Sequence, residues 1–344
     1  MKLIKWTIFV VLLQTFRLAA GIFLFPHKKY VVSRQDTECE RETVTFNSSF
    51  IEFMLAFLGV DQSECACDDP CPSVAKFVKL YIYRTDTNSF HRLFANGSNA
   101  HLIDHTRPTT VFVHGFSDSF HPRKNSWNNQ LSRMESRILN RNTLALDWGD
   151  LSRCPYRQAT ESLVPEVGNL LYRILNDVLK LDLRTVNCVG HSLGGHICGY
   201  AGAASSGQFE RCFGLDPAGL YYTVDYDGPS RGLNKTCCQY VQAIHTDMAI
   251  GSRQAMGHID FFPNNQTGTQ PHCLIQATGC SHIAVVEYYK AALDPNNKFI
   301  GVACGKHSNP SATCRFGAHT TTDCESGSFC FDTAPCAPYT YSSR

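Results

Sequence analysis

The segment Gly190-His191-Ser192-Leu193-Gly194 narrows the folds open to this chain more than any other feature. A G-x-S-x-G run belongs to a sharp strand-to-helix turn. The serine takes a strained backbone conformation there, and its neighbours are glycines to avoid clashes. The turn lifts the hydroxyl to the top of a sheet and points the next N–H group at an oxyanion. The bland alternative is a chance match in a glycine-rich turn. The flanks argue against it: an apolar strand, Thr185 to Gly190, leads into the motif, and a helix rich in Gly and Ala, Leu193 to Ala203, leads out.

Other apolar segments follow the same plan. Phe77 to Tyr83 alternates like a half-buried strand. Thr109 to Val113, Thr143 to Trp148, Cys212 to Leu215 and Tyr240 to Thr246 read as short strands ending in turns. Val164 to Leu181 carries apolar residues at helical spacing, and a further helix begins at His282 and runs to Leu293. Strands alternating with helices predict an α/β chain with a mostly parallel central sheet and helices on both faces. Sites in such sheets collect at the carboxyl ends of the strands.

Residues 1–20 read as a signal peptide. Lys2 and Lys5 open it, Trp6 to Phe16 is a short apolar run, and Ala19-Ala20-Gly21 supplies small residues for cleavage. The chain of 344 residues has 17 cysteines, and with an export signal that count predicts disulfides formed in an oxidising compartment. A metal site at Cys65, Cys67 and Cys71 is the weaker alternative, and residues 21–76 read as a disulfide-tied segment. Seventeen is odd, so one thiol stays free or pairs between chains; Cys188 and Cys198, flanking the turn on apolar elements, are expected as free core thiols. Sequons begin at Asn47, Asn96, Asn234 and Asn265 and fit a secreted glycoprotein. The net charge of +1 gives no pull toward nucleic acid.

A serine needs a base oriented by a third group. In sheets that carry this turn, the acid and then the histidine follow the serine along the chain. Asp216 and Asp247 both close downstream strands, and the residues alone do not separate them. His196 lies on the same helix as Ser192 and is expected to pack. His282, just before a helix and after both acids, fits the order best.

The segments TTVFVHGF (109–116), LALDW (144–148), VGHSLGGH (189–196), GLDPAG (214–219), AIHTD (243–247), GHIDFFPN (257–264) and GCSHIAVVEYY (279–289) together resemble the pancreatic lipase family over roughly residues 72–305. The resemblance implies the α/β-hydrolase fold, with disulfide-rich N- and C-terminal segments. It implies Ser192 as nucleophile, Asp216 rather than Asp247 as orienting acid, and His282 as base. Phe116 and Leu193 would offer the oxyanion-hole N–H groups. No metal or cofactor is implied.

The resemblance also carries a substrate class, lipid carboxylic esters met at a membrane or micelle interface. Two departures from the large digestive lipases bear on which lipid. The tail after His282, with Cys304, Cys314, Cys324, Cys330 and Cys336, is too short for their C-terminal β-sandwich. One hydrolase domain over residues 21–344 is therefore expected, with no colipase-type partner. The family's lid would lie between Cys273 and Cys280, spanning only Leu274 to Gly279, and the neighbouring loop from Met248 to Met256 is also short. Both features resemble the phospholipase A1 subgroup. Triacylglycerol or galactolipid hydrolysis is the alternative, and a non-catalytic lipid-binding relative is a different class. Cys304 is expected to pair with Cys314.

Overall fold

The computed structural model describes residues 65–222, 231–273, 279–304 and 311–341. The expected signal peptide, Asn47 and most of the lid segment lie outside these residues. Eleven strands form one sheet. In chain order they are β1 (Lys79–Arg84), β2 (Ser89–Leu93), β3 (Thr109–Val113), β4 (Asn142–Asp147), β5 (Val186–His191), β6 (Arg211–Leu215), β7 (Tyr240–Ile244), β8 (Ile259–Pro263), β9 (Ile300–Ala303), β10 (Thr313–Arg315) and β11 (Gly327–Phe331). Across the sheet the order is β10-β9-β11-β8-β7-β6-β5-β3-β4-β1-β2. From β11 to β4 all neighbours are parallel, and the two margins are antiparallel. The sheet is thus mostly parallel, as the alternation of strands and helices predicts.

Side chains alternate between two cores. Val111 and Val113 of β3 face one cluster, which includes residues of α2 (Val164–Arg173) and α3 (Leu193–Ala204); Phe112 faces the other, with residues of α1 (Trp127–Ile138) and α4 (Cys280–Ala292). This is the pleat at work: successive residues point to opposite faces, and helices cover both. The central strands are buried along their whole length, which explains why they read as continuous apolar runs.

The helix expected over Val164 to Leu181 is divided. α2 passes at Ile174–Val178 into a wider π turn, and the chain stops at Lys180 in a left-handed conformation, φ 52°. Among the described residues no helix is long and apolar enough to cross a membrane.

Seven disulfides lie among the described residues: 65–154, 67–71, 188–198, 212–238, 273–280, 304–330 and 314–324. Two expectations are corrected. Cys188 and Cys198 are not free but bridged, with Cα atoms 5.6 Å apart. After the turn, α3 folds back over β5 and brings a strand residue and a helix residue within bonding geometry. Among the described residues the buried free thiol is Cys237, which burial pushes up to about 11. Cys304 pairs with Cys330 rather than Cys314. Its N–H donates to Ser328 O on β11 at 2.9 Å, whereas Cys314 sits on β10, across β9.

Candidate active site

Three parallel strands end side by side where the site forms. Gly190 near the end of β5 pairs with Val113 of β3 and Gly214 of β6. The first residue past the end of each strand, His114, Ser192 and Asp216 in turn, therefore lies at this edge.

Ser192 has φ 55° and ψ −123°, the strained turn that the motif demands. Its glycines are sterically required. A Cβ on Gly190 would lie 2.2 Å from the carbonyl of Gly194, and one on Gly194 would lie 2.2 Å from Val113 O. The Ser192 N–H donates to Leu215 O at 3.0 Å and ties the turn to β6.

Asp216 follows β6, also at positive φ (46°), and is fully buried. Its Oδ1 accepts the N–H groups of Thr246 (2.7 Å) and Asp247 (3.1 Å). Its Oδ2 lies 2.5 Å from Nδ1 of His282, on the first turn of α4. Asp247 is engaged elsewhere, because its Oδ1 accepts the N–H groups of Ala249 and Ile250 and closes its own loop. The structure brings His282 to Asp216, the acid that the resemblance selects. Burial pushes the Asp216 carboxyl up, and the Asp247 charge adds to this. Burial pushes His282 down to about 4, so its imidazole is neutral near pH 7. The two N–H donors on Asp216 Oδ1 favour its carboxylate form, which accepts at Oδ2 the proton that His282 carries on Nδ1.

His191, the variable residue before the serine, was not singled out by the sequence. Its ring packs 4.5 Å from that of His282, and its Nε2 lies 2.9 Å from the His282 carbonyl oxygen. Burial pushes it down to about 3. A carbonyl only accepts, so His191 donates through Nε2 as a neutral ring. The edge of Trp127 packs on it, and Trp127 Nε1–H donates to Asp118 at 2.9 Å. Its place inside the motif was the only signal available.

The segment His114-Gly115-Phe116 runs directly beside the serine. A Cβ on Gly115 would sit 2.8 Å from Ser192 Cβ. Phe116 is buried, with its ring 5.0 Å from that of Tyr156. Leu193 opens α3, so its N–H belongs to the first turn, where helix donors lack intrahelical partners and the helix dipole is positive. Two backbone segments able to supply N–H donors thus flank Ser192.

The other expected positions divide. His196 is a packing residue: fully buried, stacked on Tyr222 at 3.5 Å, and pushed down to about 4 by burial. Cys273 and Cys280 are bridged, two residues before His282; residues 274–278 between them are outside the described set. Ile283, next to His282, is 47% exposed. Asn96 and Asn265 are exposed, while Asn234 is half-buried and donates Nδ2–H to Gly232 O. Among the described residues two groups have metal-type side chains, Cys212/Cys237/Cys238 and His272/Cys273/Cys280. Each includes a disulfide, which removes the thiolates a metal would need.

The sequence model of the family described as Lipase matches residues 73–329. A pancreatic triacylglycerol lipase of Mus musculus is 32% identical over 228 residues, covering 59% of this chain and 48% of that protein. Lipase member H of Rattus norvegicus is 28% identical over 276 residues, covering 74% of this chain and 59% of that protein. The chain thus spans about half the length of the curated relatives it matches. Among solved structures, Thermogutta terrifontis esterase 2 phosphorylated by paraoxon aligns with 51% of this chain and 68% of its own. Its identity is 15% and its TM-score 0.32, a superposition too partial to carry an argument.

Proposed function

The chain belongs to the lipase family, and on that footing we propose that it is a secreted serine hydrolase of lipid esters that cleaves the sn-1 acyl ester of phospholipids. The observation that carries the reading is the 2.5 Å hydrogen bond between Asp216 and His282 beside the strained Ser192 turn.

In the proposed mechanism, Ser192 Oγ attacks the ester carbonyl while His282 Nε2 takes its proton. Asp216 holds the Nδ1 proton and stabilises the imidazolium that forms. The N–H groups of Phe116 and Leu193 receive the oxyanion, and losing one such donor costs roughly 100–1,000-fold in rate. The lysolipid alcohol leaves with the His282 proton. Water, deprotonated by His282, then frees the fatty acid from Ser192.

The phospholipid preference rests on the short spans around the cleft. The Cys273–Cys280 bridge closes a segment with sequence separation 7, and Asp247 Oδ1 holds the start of the Met248–Met256 loop through the N–H groups of Ala249 and Ile250. A small lid leaves the cleft rim open to a charged head group, where a long lid would build an apolar trench. The second reading, triacylglycerol hydrolysis, is favoured by the similarity to a pancreatic triacylglycerol lipase. Export is supported by the cysteine usage, since seven bridges suit an oxidising compartment.

The test offers phosphatidylcholine vesicles and triacylglycerol emulsion separately to the protein and to Ser192→Ala. Fatty acid released from the first phospholipid position, little from the emulsion and none from the variant is the expected result. Preference for the emulsion would refute the lid argument and leave the hydrolase. Release that survives in Ser192→Ala would refute the site.

A further inference from the structure

Gln270 lies in the segment between β8 and α4, outside every motif described above, and is buried. Its Nε2–H donates to Thr246 O at 2.8 Å. Thr246 O and the Asp247 N–H are the two ends of one planar peptide, so holding the oxygen sets the direction of the N–H. That N–H is one of the two that Asp216 Oδ1 accepts, at 3.1 Å. A donor on the peptide oxygen also polarises the unit and strengthens the bond that its N–H makes. Gln270 thus reaches Asp216 through a single peptide.

Its own backbone reaches His282. The Gln270 N–H donates to Ser281 Oγ at 3.2 Å, and Ser281 precedes His282 in the first turn of α4. The Gln270 carbonyl accepts the Cys273 N–H at 2.9 Å, and Cys273 is bridged to Cys280, the residue before Ser281. One residue therefore holds both the peptide that faces Asp216 and the turn that carries His282.

Backbone groups at two ends fix the orientation of the amide. Thr333 N–H, which only donates, gives to Asn264 Oδ1 at 2.9 Å. This turns Asn264 Nδ2 toward Gln270 Oε1, at 2.7 Å, and the Tyr288 hydroxyl donates to the same oxygen at 2.9 Å. Thr246 O, at the other end, only accepts, so Nε2 must face it. Reversing the amide would set donor against donor and acceptor against acceptor.

We propose that Gln270 is a positioning residue for ester hydrolysis: it holds the Asp247 N–H on Asp216 and the first turn of α4 in one fixed relation, so that Asp216 meets His282 with Nε2 aimed at Ser192. This rests on the Ser192–Asp216–His282 reading. A merely structural amide would stiffen the segment from Asn264 to Cys273 and leave turnover per folded molecule unchanged.

The test uses the whole protein with p-nitrophenyl butyrate as substrate. Gln270→Met keeps the length of the side chain and removes its donor. The expected result is a kcat lower by roughly 10–100-fold, the range a misplacement of about 1 Å reaches, with KM little changed. A second readout needs no turnover. The proton in the 2.5 Å bond between His282 Nδ1 and Asp216 resonates far downfield in protein labelled with 15N-histidine, and its loss in Asp216→Asn assigns it. It should move upfield in Gln270→Met as that bond lengthens. Gln270→Glu is the conservative variant and keeps the test open should Gln270→Met not fold. A protonated carboxyl still donates to Thr246 O, whereas an ionised one only accepts. Its activity relative to the parent should therefore fall as pH rises from about 5 to about 9. An unmoved kcat per folded molecule in Gln270→Met overturns the inference. So does a His282 proton that stays in place, or a Gln270→Glu activity ratio that is constant with pH. Hydrolysis that survives Ser192→Ala would instead defeat the site reading.

Discussion

Replacing Asp216 by asparagine tests the proposed site at its most enclosed point. The carboxylate is fully buried, with two backbone N–H groups on Oδ1 and His282 Nδ1 2.5 Å from Oδ2. An amide preserves shape and volume, and its carbonyl oxygen is held by the Thr246 and Asp247 donors. Its NH2 group then faces His282 Nδ1. Because an NH2 only donates, Nδ1 must accept, and the single proton of the neutral ring moves to Nε2. A protonated Nε2 cannot take the Ser192 proton. Holding the wrong tautomer costs roughly 10⁴-fold in kcat, which is about 5.4 kcal/mol of barrier. The control is Asp247→Asn. Its side-chain oxygen accepts from Ala249 and Ile250 within its own loop, and an amide oxygen can do the same. Initial rates on a soluble p-nitrophenyl ester give the comparison, and thermal melts establish that both variants fold. Asp216→Asn within about tenfold of the parent rate would refute the reasoning, as would inactivation by Asp247→Asn alone.

Acid should unfold the protein through its buried histidines. His196 and His191 are pushed by burial down to about 4 and about 3, below the ordinary 6.5, so the unfolded chain takes up protons that the native state excludes. Stability is then full above about pH 6.5 and declines as pH falls toward 4, by about 2 kcal/mol per histidine between pH 7 and 5. Urea unfolding at those two pH values checks this, and equal stabilities would contradict it. Turnover should hold from neutrality to about pH 5 and fade as pH nears 4, where His282 takes a proton; a limb near 6.5 would refute its burial. Removing both Cys188 and Cys198 opens a loop with sequence separation 10 and should cost about 2.7 kcal/mol by loop entropy. Peptide mapping of the oxidised protein should recover that bridge; free thiols at both positions would refute it. Gly115→Ala places a methyl group 2.8 Å from Ser192 Cβ and should reduce kcat with little change in folding, measured by the same ester assay and melts.

What the sequence revealed follows the range of each constraint. The Ser192 turn was legible because its demands are local: Gly190 and Gly194 stand where a Cβ would strike backbone. The central strands were legible because burial on both faces leaves continuous apolar runs. β11 was not, since only Phe329 and Phe331 of its five residues are buried and it carries no continuous apolar run. The two acids show the same limit. Asp216 and Asp247 both end strands and both accept backbone N–H groups. Only the arrival of His282, 66 residues downstream of Asp216, separates them. Cys188 and Cys198 misled for a related reason. Judged singly, each looks like a small apolar residue; the helix folding back over its own strand makes them a pair. His191 and His245 complete the argument. Each sits within a motif, yet its contacts run to other segments: His191 to His282, 91 residues away, and His245 to Asp260 across neighbouring strands. A motif therefore locates the proposed nucleophile, while the contacts of the groups around it depend on long-range neighbours. Variants that leave every motif residue in place but alter those neighbours should move the pH profile of the reaction.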